Sequence, residues 1–237
     1  MNLSASIGGA LFRGRRAFCE AVGIARYSRM ALYDIDRKLE RHLDLDRGVF
    51  IEAGANDGLN QSNTYYLERM RGWTGLLIEP VPALAAACRN NRRGPVLEAA
   101  LVAEEKPGAT VELHWAGLMS TVEGALGDAQ ATDRHVQAGL AVQQLPATAR
   151  LRVPARTLSS LLDEARVTRD IDLLSLDVEG AEVMALRGLD FDRHAPRFIC
   201  VEARDEAAIA ALLESRYGLC EVLTELGTHR DLLYQRR

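Results

Sequence analysis

The 237-residue chain predicts an α/β fold, a mostly parallel sheet with helices on both faces, and three observations carry that expectation. Short apolar runs at 49–53, 74–78, 96–102, 171–176 and 197–203 alternate with helix-length stretches, the βαβ rhythm of a parallel sheet. The first run opens into a glycine-containing turn, Gly54-Ala55-Asn56-Asp57-Gly58, and the second ends on Glu79. A strand, a tight loop, a helix and a second strand in that order form a unit that binds nucleosides at the carboxyl ends of its strands. Finally, two strand-like segments near 219–224 and 231–235 follow each other without a helix, which calls for an antiparallel edge strand.

Taken in order, residues 17–46 read as helical, with Tyr27, Met30, Ala31 and Ile35 at helical spacing. They place residues 1–47 as an N-terminal helical extension capping a domain of residues 48–237. Ser4–Ala21 holds Arg13, Arg15 and Arg16 and no acid before Glu20, a pattern shared by transit peptides and membrane-surface helices. The apolar stretch is short and glycine-interrupted, and the basic residues follow it, the reverse of a signal peptide. A loosely packed extension is therefore the favoured reading, and peripheral membrane contact the alternative. No apolar run approaches the roughly 18 residues that cross a bilayer.

After the strand at 49–53, a helix is expected at 62–71, capped by Ser62 or Asn63. The strand at 74–78 leads to Pro80 and Pro82, which open a helix running to Asn91, proline being tolerated in a first turn. One strand is assigned to 96–102 and a strand or hairpin arm to 110–115. Residues 116–150, rich in Gly, Ala, Gln and Thr, show weak periodicity and are too long for an ordinary connection. They are assigned as an insertion serving as an acceptor-binding lid. A strand-like 151–153, a helix at 157–166, the strand at 171–176, a helix at 181–187, the strand at 197–203 and a helix at 205–216 complete the alternation.

Composition narrows the function classes. The net charge is −4 and no basic block of the kind that tracks a phosphate backbone occurs, which excludes nucleic acid as a partner. Lysine occurs only at Lys38 and Lys106 among many arginines, the signature of a GC-rich bacterial genome. Cys19, Cys88, Cys200 and Cys220 are far apart without CxxC spacing, which fits a reduced, cytoplasmic setting, and Cys200 reads as a buried thiol.

The chemistry concentrates in 49–79. Glu52 precedes the first glycine of the turn and Asp57 the second, so a pyrophosphate would be repelled there and a cationic, phosphate-free cofactor welcomed. S-adenosylmethionine, with its sulfonium and α-ammonium, meets that description. Gly54 permits a sharp turn and close approach to the cofactor. Glu52 can take the α-ammonium directly or through water. Glu79, 25 residues beyond Gly54, lies at the spacing where an acid accepts the ribose hydroxyls. Asn56 and Asp57 fit either a cofactor contact or a simple Asx turn.

A second acidic group, Asp177-Val178-Glu179, follows the strand at 171–176, where such folds meet substrate. Three readings remain open for it. With Glu202 it can supply oxygen ligands to one Mg²⁺-type ion; one carboxylate can act directly as base, its pKa raised by the other; or Glu179 can cap the following helix. Among histidines, His114 at the entrance to 116–150 is the candidate base and His229 lies near the ligand-binding sheet end. His42, His135 and His194 read as surface residues.

Three segments resemble one family: Phe50–Glu68 (FIEAGANDGLNQSNTYYLE), Leu76–Arg92 (LLIEPVPALAAACRNNR) and Leu173–Phe191 (LLSLDVEGAEVMALRGLDF) are similar to those of the FkbM-type methyltransferases. The resemblance spans about 48–236 and is poorest over 116–150. It implies the seven-stranded class I methyltransferase (Rossmann-like) sheet, S-adenosylmethionine as cofactor, and methyl transfer, usually to oxygen. Implied acceptors are hydroxyls of glycans and glycolipids or of polyketide-type natural products. It adds Ser62 to the cofactor set of Glu52, Gly54, Ala55, Asn56, Asp57, Gly58, Glu79 and Pro80, and suggests that Met119-Ser120-Thr121 lines the cofactor or acceptor pocket. An NAD-dependent oxidoreductase or epimerase is disfavoured, because Gly54–Gly58 is not GxGxxG. A non-catalytic subunit retaining the fold is the remaining alternative.

Overall fold

The computed structural model describes residues 3–237. In chain order its elements are α1 (Leu3–Ala21), α2 (Ile35–Glu40), β1 (Val49–Ala53), α3 (Tyr65–Met70), β2 (Thr74–Ile78), α4 (Pro82–Asn91), β3 (Val96–Leu97), β4 (Ala100–Leu101), β5 (Thr110–Trp115), β6 (Thr121–Val122), α5 (Ala129–Gln143), β7 (Ala149–Arg156), α6 (Leu158–Glu164), β8 (Leu173–Leu176), α7 (Glu182–Arg187), α8 (Phe191–His194), β9 (Phe198–Ala203), α9 (Glu206–Leu213), β10 (Tyr217–Leu226) and β11 (His229–Arg236).

Seven strands form the main sheet in the order β10-β11-β9-β8-β1-β2-β3. All neighbours pair in parallel except β11, which runs antiparallel to both β9 and β10. The antiparallel strand expected at this edge is thus seated one place in, with β10 outside it. Alternate side chains of the buried strands feed two cores, as the two-residue period requires. Ile51, Leu76, Leu174 and Val201 meet α6, α7 and α9 on one face. Phe50, Leu77, Leu173 and Cys200 meet α2, α3 and α4 on the other. This is the class I, doubly covered sheet. The four cysteines are unpaired, and Cys88 and Cys200 are buried.

Three local expectations change. The helix expected over 17–46 is broken: α1 ends at Ala21, Gly23 and then Tyr33 and Asp34 adopt positive φ, and α2 resumes at Ile35. Ile35, Leu39 and Leu43 are buried with Phe50 and Trp73, so this part of residues 1–47 belongs to the core. The single strand at 96–102 is two strands in different sheets, because the chain leaves the main sheet after Leu97 and enters a four-stranded sheet, β4-β7-β5-β6, at Ala100. Residues 116–150 contain the 15-residue helix α5, capped by Asp128, whose side chain accepts the Ala131 N–H at 2.7 Å.

Candidate active site

A cavity opens at the carboxyl ends of β1, β2 and β8. Gly54–Asn56, Glu79–Val81 and Asp177–Glu179 form one wall, and Ala100, Leu101, Leu113 and Val122 of the small sheet form the other. Four acids line it, Glu52, Glu79, Asp177 and Glu179, and among the described residues no Lys, Arg or His does. That lining repels phosphate and suits a cation flanked by apolar surface.

The loop after β1 is shaped by backbone contacts. Gly54, at φ +82°, lies so close to β8 that a Cβ would stand 1.7 Å from the Asp177 carbonyl oxygen. Packing against Asp177 is by itself enough to require a glycine here. The Gly54 and Ala55 N–H groups both donate to the Ile78 carbonyl at 3.0 Å, tying the loop to β2. Asn56 adopts φ +49°, which Asn tolerates better than most residues. Asp57 and Gly58 do not line the cavity. Asp57 accepts the N–H groups of Leu59 (2.9 Å) and Asn60 (2.7 Å) in an Asx turn, and Gly58 packs against Arg92 and Cys88. Pro80 does line the cavity.

Glu79 is buried at the end of β2. One carboxylate oxygen accepts the Asn56 N–H at 2.8 Å and the other the Val81 N–H at 2.9 Å. Burial nevertheless lifts its pKa to about 7, against the lowering by those two hydrogen bonds. Glu52 is handled otherwise. Its carboxylate accepts from Ser62 Oγ (2.9 Å), Thr64 Oγ1 (2.6 Å), the Asn63 N–H (3.1 Å) and Arg92 Nη1 (2.8 Å). Arg92 is fully buried and also donates to Glu68 and to the Gly58 carbonyl, both at 3.2 Å. Burial pulls its pKa down, but Glu52 and Glu68 outweigh that and raise it. Ser62 both joins this knot and accepts the Tyr65 N–H at 3.1 Å, capping α3.

A second cavity adjoins the first, and Gln61, Asn63, Leu118, Asp177 and Glu179 line both. Asp177 follows β8 directly, and its Oδ1 is buried without a hydrogen-bond partner. Burial, then the charges of Glu202 and Glu179, raise its pKa well above the usual carboxylate range. Oxygens of Asp177, Glu179 and Glu202 lie within 4.8 Å of one another. Burial and Glu179 push Glu202 up to about 8. Arg204 Nη2 donates to Glu179 Oε2 at 2.7 Å and stands 2.7 Å from Glu202 Oε1. Glu179 does not cap α7, whose N-cap is Ala181 without a side-chain bond; Glu182 instead accepts the Val178 and Gly180 N–H groups of the preceding turn.

The histidines redistribute. His114 is buried on β5, 3.8 Å from Glu112, and lines neither cavity. His229 lines the second cavity 3.5 Å from Glu202, and burial followed by Arg204 lowers its pKa. His135, read from sequence as a surface residue, points from α5 to within 3.3 Å of Glu179. Met119 lines the second cavity and Ser120 the first, while Thr121 Oγ1 donates to the Glu179 carbonyl at 2.8 Å. Arg92 and Arg204 escaped the sequence reading, and His135 was misplaced by it, because each gains its surroundings only from a distant chain segment. Asp128, an N-cap before a run of helix formers, was the available signal for α5 and hence for His135.

A seven-stranded sheet in this order, with an acid-lined cavity at its carboxyl ends, defines a class I Rossmann-like methyltransferase. The profile of the Methyltransferase FkbM domain matches residues 52–228, and the chain belongs to that family. It is an S-adenosylmethionine-dependent methyltransferase. Among solved structures it is similar to a human methyltransferase 10 domain containing protein, with 11% identity, 85% of this chain and 81% of that one covered, and TM-score 0.45. It is similar also to a SAM-dependent methyltransferase from Aquifex aeolicus, with 12% identity, 88% and 92% coverage, and TM-score 0.41. A methyltransferase from Pyrococcus furiosus gives 13%, 94% and 96%, and 0.42. No curated protein matches the sequence.

Proposed function

We propose that the protein methylates a hydroxyl oxygen on a sugar, in a glycan or glycolipid, and that Asp177 is the general base. The observation that carries this reading is the position of Asp177: an unpartnered, buried carboxylate oxygen in the wall shared by the two cavities. The first cavity fits S-adenosylmethionine, because it is lined by acids without a single cationic side chain. Glu79 would accept from the ribose hydroxyls, and Gly54, Ala55, Asn56 and Pro80 would shape the loop around the nucleoside. Glu52, saturated by Arg92, Ser62 and Thr64, would act on the α-ammonium through its field rather than by direct contact. When bound, the cofactor supplies an electrophilic methyl group.

The second cavity would hold the acceptor. Gln61, Asn63, Arg134, His135 and His229 give it the polar lining that a polyol needs, and residues 116–150 supply part of it from α5. A sugar hydroxyl is a poor nucleophile at neutral pH, so its proton must be withdrawn as the new bond forms. Asp177 Oδ1 would take it, its proton affinity raised above that of an ordinary carboxylate by burial and by the charges of Glu202 and Glu179. Arg204, held by Glu179, would keep the neighbouring acids from over-raising that pKa. The same arginine argues against a resident Mg²⁺ at Asp177, Glu179 and Glu202: a guanidinium already stands 2.7 Å from two of the three carboxylates. The test is methyl transfer from labelled S-adenosylmethionine to a panel of sugars, lipid-linked glycans and polyketide-type hydroxyls, with and without chelator. We expect transfer to sugar hydroxyls at a rate the chelator leaves unchanged; transfer confined to another acceptor class, or abolished by chelator, overturns the corresponding half of the reading.

A further inference from the structure

Ten large apolar side chains stand exposed among the described residues, and seven of them fall between Leu11 and Tyr33. On α1, Leu11 is 61% and Phe18 68% exposed, and just beyond its end Val22 is 52% and Ile24 48% exposed. Leu11, Phe18 and Val22 are spaced i, i+7, i+11, one stripe of a helix. The packed side lies opposite. There Glu20 accepts from Tyr65 OH at 2.9 Å and Ser28 Oγ at 3.1 Å and pairs with Arg69 at 2.9 Å, while Arg16 stacks 5.3 Å from the Tyr65 ring centre. The helix is thus anchored by its polar side and presents its apolar side outward, the reverse of a helix that packs on its own core.

Charge on this segment is one-sided. Glu20 is the only acid between residues 11 and 33 and is turned inward. Arg13, Arg15 and Arg26 are exposed and make no ion pair among the described residues. We propose that α1 and the turn after it dock on an anionic lipid surface, with the helix lying in the interface and Leu11, Phe18, Val22 and Ile24 inserted. The arginines would then face headgroup phosphates, the arrangement of interfacial amphipathic helices. No helix among the described residues is long and apolar enough to cross a membrane, so the mode is in-plane. A second copy of the chain fits the face less well, because a two-fold pairing of this stripe sets Arg15 and its neighbours against the same charges. Leu32 and Tyr33, on the same segment, also line the second cavity, so docking would bring the rim of that cavity toward the lipid.

Co-sedimentation of the full chain with phosphatidylcholine vesicles, with and without phosphatidylglycerol, tests this. Binding should require the anionic lipid and weaken with salt. Leu11→Glu with Phe18→Glu should abolish it, and Arg15→Ser and Arg26→Ser should each lower the partition coefficient about fivefold. Cofactor binding and thermal unfolding should stay as in the parent, since these side chains touch neither cavity. Failure of the parent to bind anionic vesicles, equal binding by the double-glutamate variant, or a dimer that the same substitutions dissociate would each overturn the proposal. None of these outcomes depends on the acceptor.

Discussion

Glu52 and Asp177 stand at the carboxyl ends of adjacent strands, and the protein treats the two charges in opposite ways. Around Glu52 every donor in reach converges: two hydroxyls, a backbone N–H and a buried guanidinium. Around Asp177 the neighbours are other carboxylates, and one of its oxygens has no partner at all. A satisfied buried carboxylate is a structural tie, while an unsatisfied one is a reservoir of proton affinity. Both are acids near a strand end, Glu52 within β1 and Asp177 just past β8, and their surroundings give them opposite treatment.

The sharpest way to break this contrast is Asp177→Asn. Turnover should fall by roughly 10²–10⁴, the range general bases supply, while calorimetric affinity for S-adenosylmethionine persists and the fold is as stable or more so. Retained turnover would return Asp177 to the scaffold class. Arg92→Met should do the reverse. Leaving Glu52 and Glu68 buried and unpaired should cost about 3–5 kcal/mol in denaturant unfolding, with activity per folded molecule largely kept. Loss of turnover without loss of stability would mean that Glu52 belongs to the chemistry after all.

Glu79 lies between these extremes, half satisfied and with a pKa of about 7. Only its ionised form accepts from both ribose hydroxyls, so S-adenosylmethionine should bind more tightly as pH rises through about 7. Glu79→Gln should weaken binding about 10–100-fold, the worth of charge-assisted hydrogen bonds, and flatten that pH dependence. The same shift also acts on stability. Burial favours the neutral carboxyl in the folded chain, so the unfolded chain releases its proton first, near the ordinary 4.5. Stability of the free protein should therefore fall with rising pH from about 4.5 to about 7, by up to roughly 1.4 kcal/mol per pH unit. Glu79→Gln should remove that slope in urea titrations.

What the sequence discloses follows the same division. β1 and β2 coincide with the expected 49–53 and 74–78, because mostly apolar runs there end at Gly54 and Glu79. The acid positions Glu52, Glu79, Asp177 and Glu179 are legible too, since strand ends are where such folds bind ligands. α5 was not legible: only Thr132, Val136 and Gly139 are buried along it, so no apolar stripe marks its face. The break between β3 and β4 was hidden because both halves are apolar, although they belong to different sheets. Arg92 is the plainest case. Beside Arg89 and Arg93 it looks like one of a solvated cluster, and only the folded position of Glu52, forty residues earlier, makes it a core residue.

The pairing of β1 with β8 joins Phe50 to Leu173, whereas the small sheet closes by joining Ala100 to Ala155. Gly54, at the end of β1, packs directly against the Asp177 carbonyl at the end of β8. During synthesis the small sheet can therefore assemble while the cofactor cavity still lacks its floor. A ribosome must release the chain through the Asp177 turn before the methyl donor has anywhere to bind. Long-range closure of this kind is the slow step of such topologies, and in chain order it completes the cofactor cavity only after every strand of the small sheet.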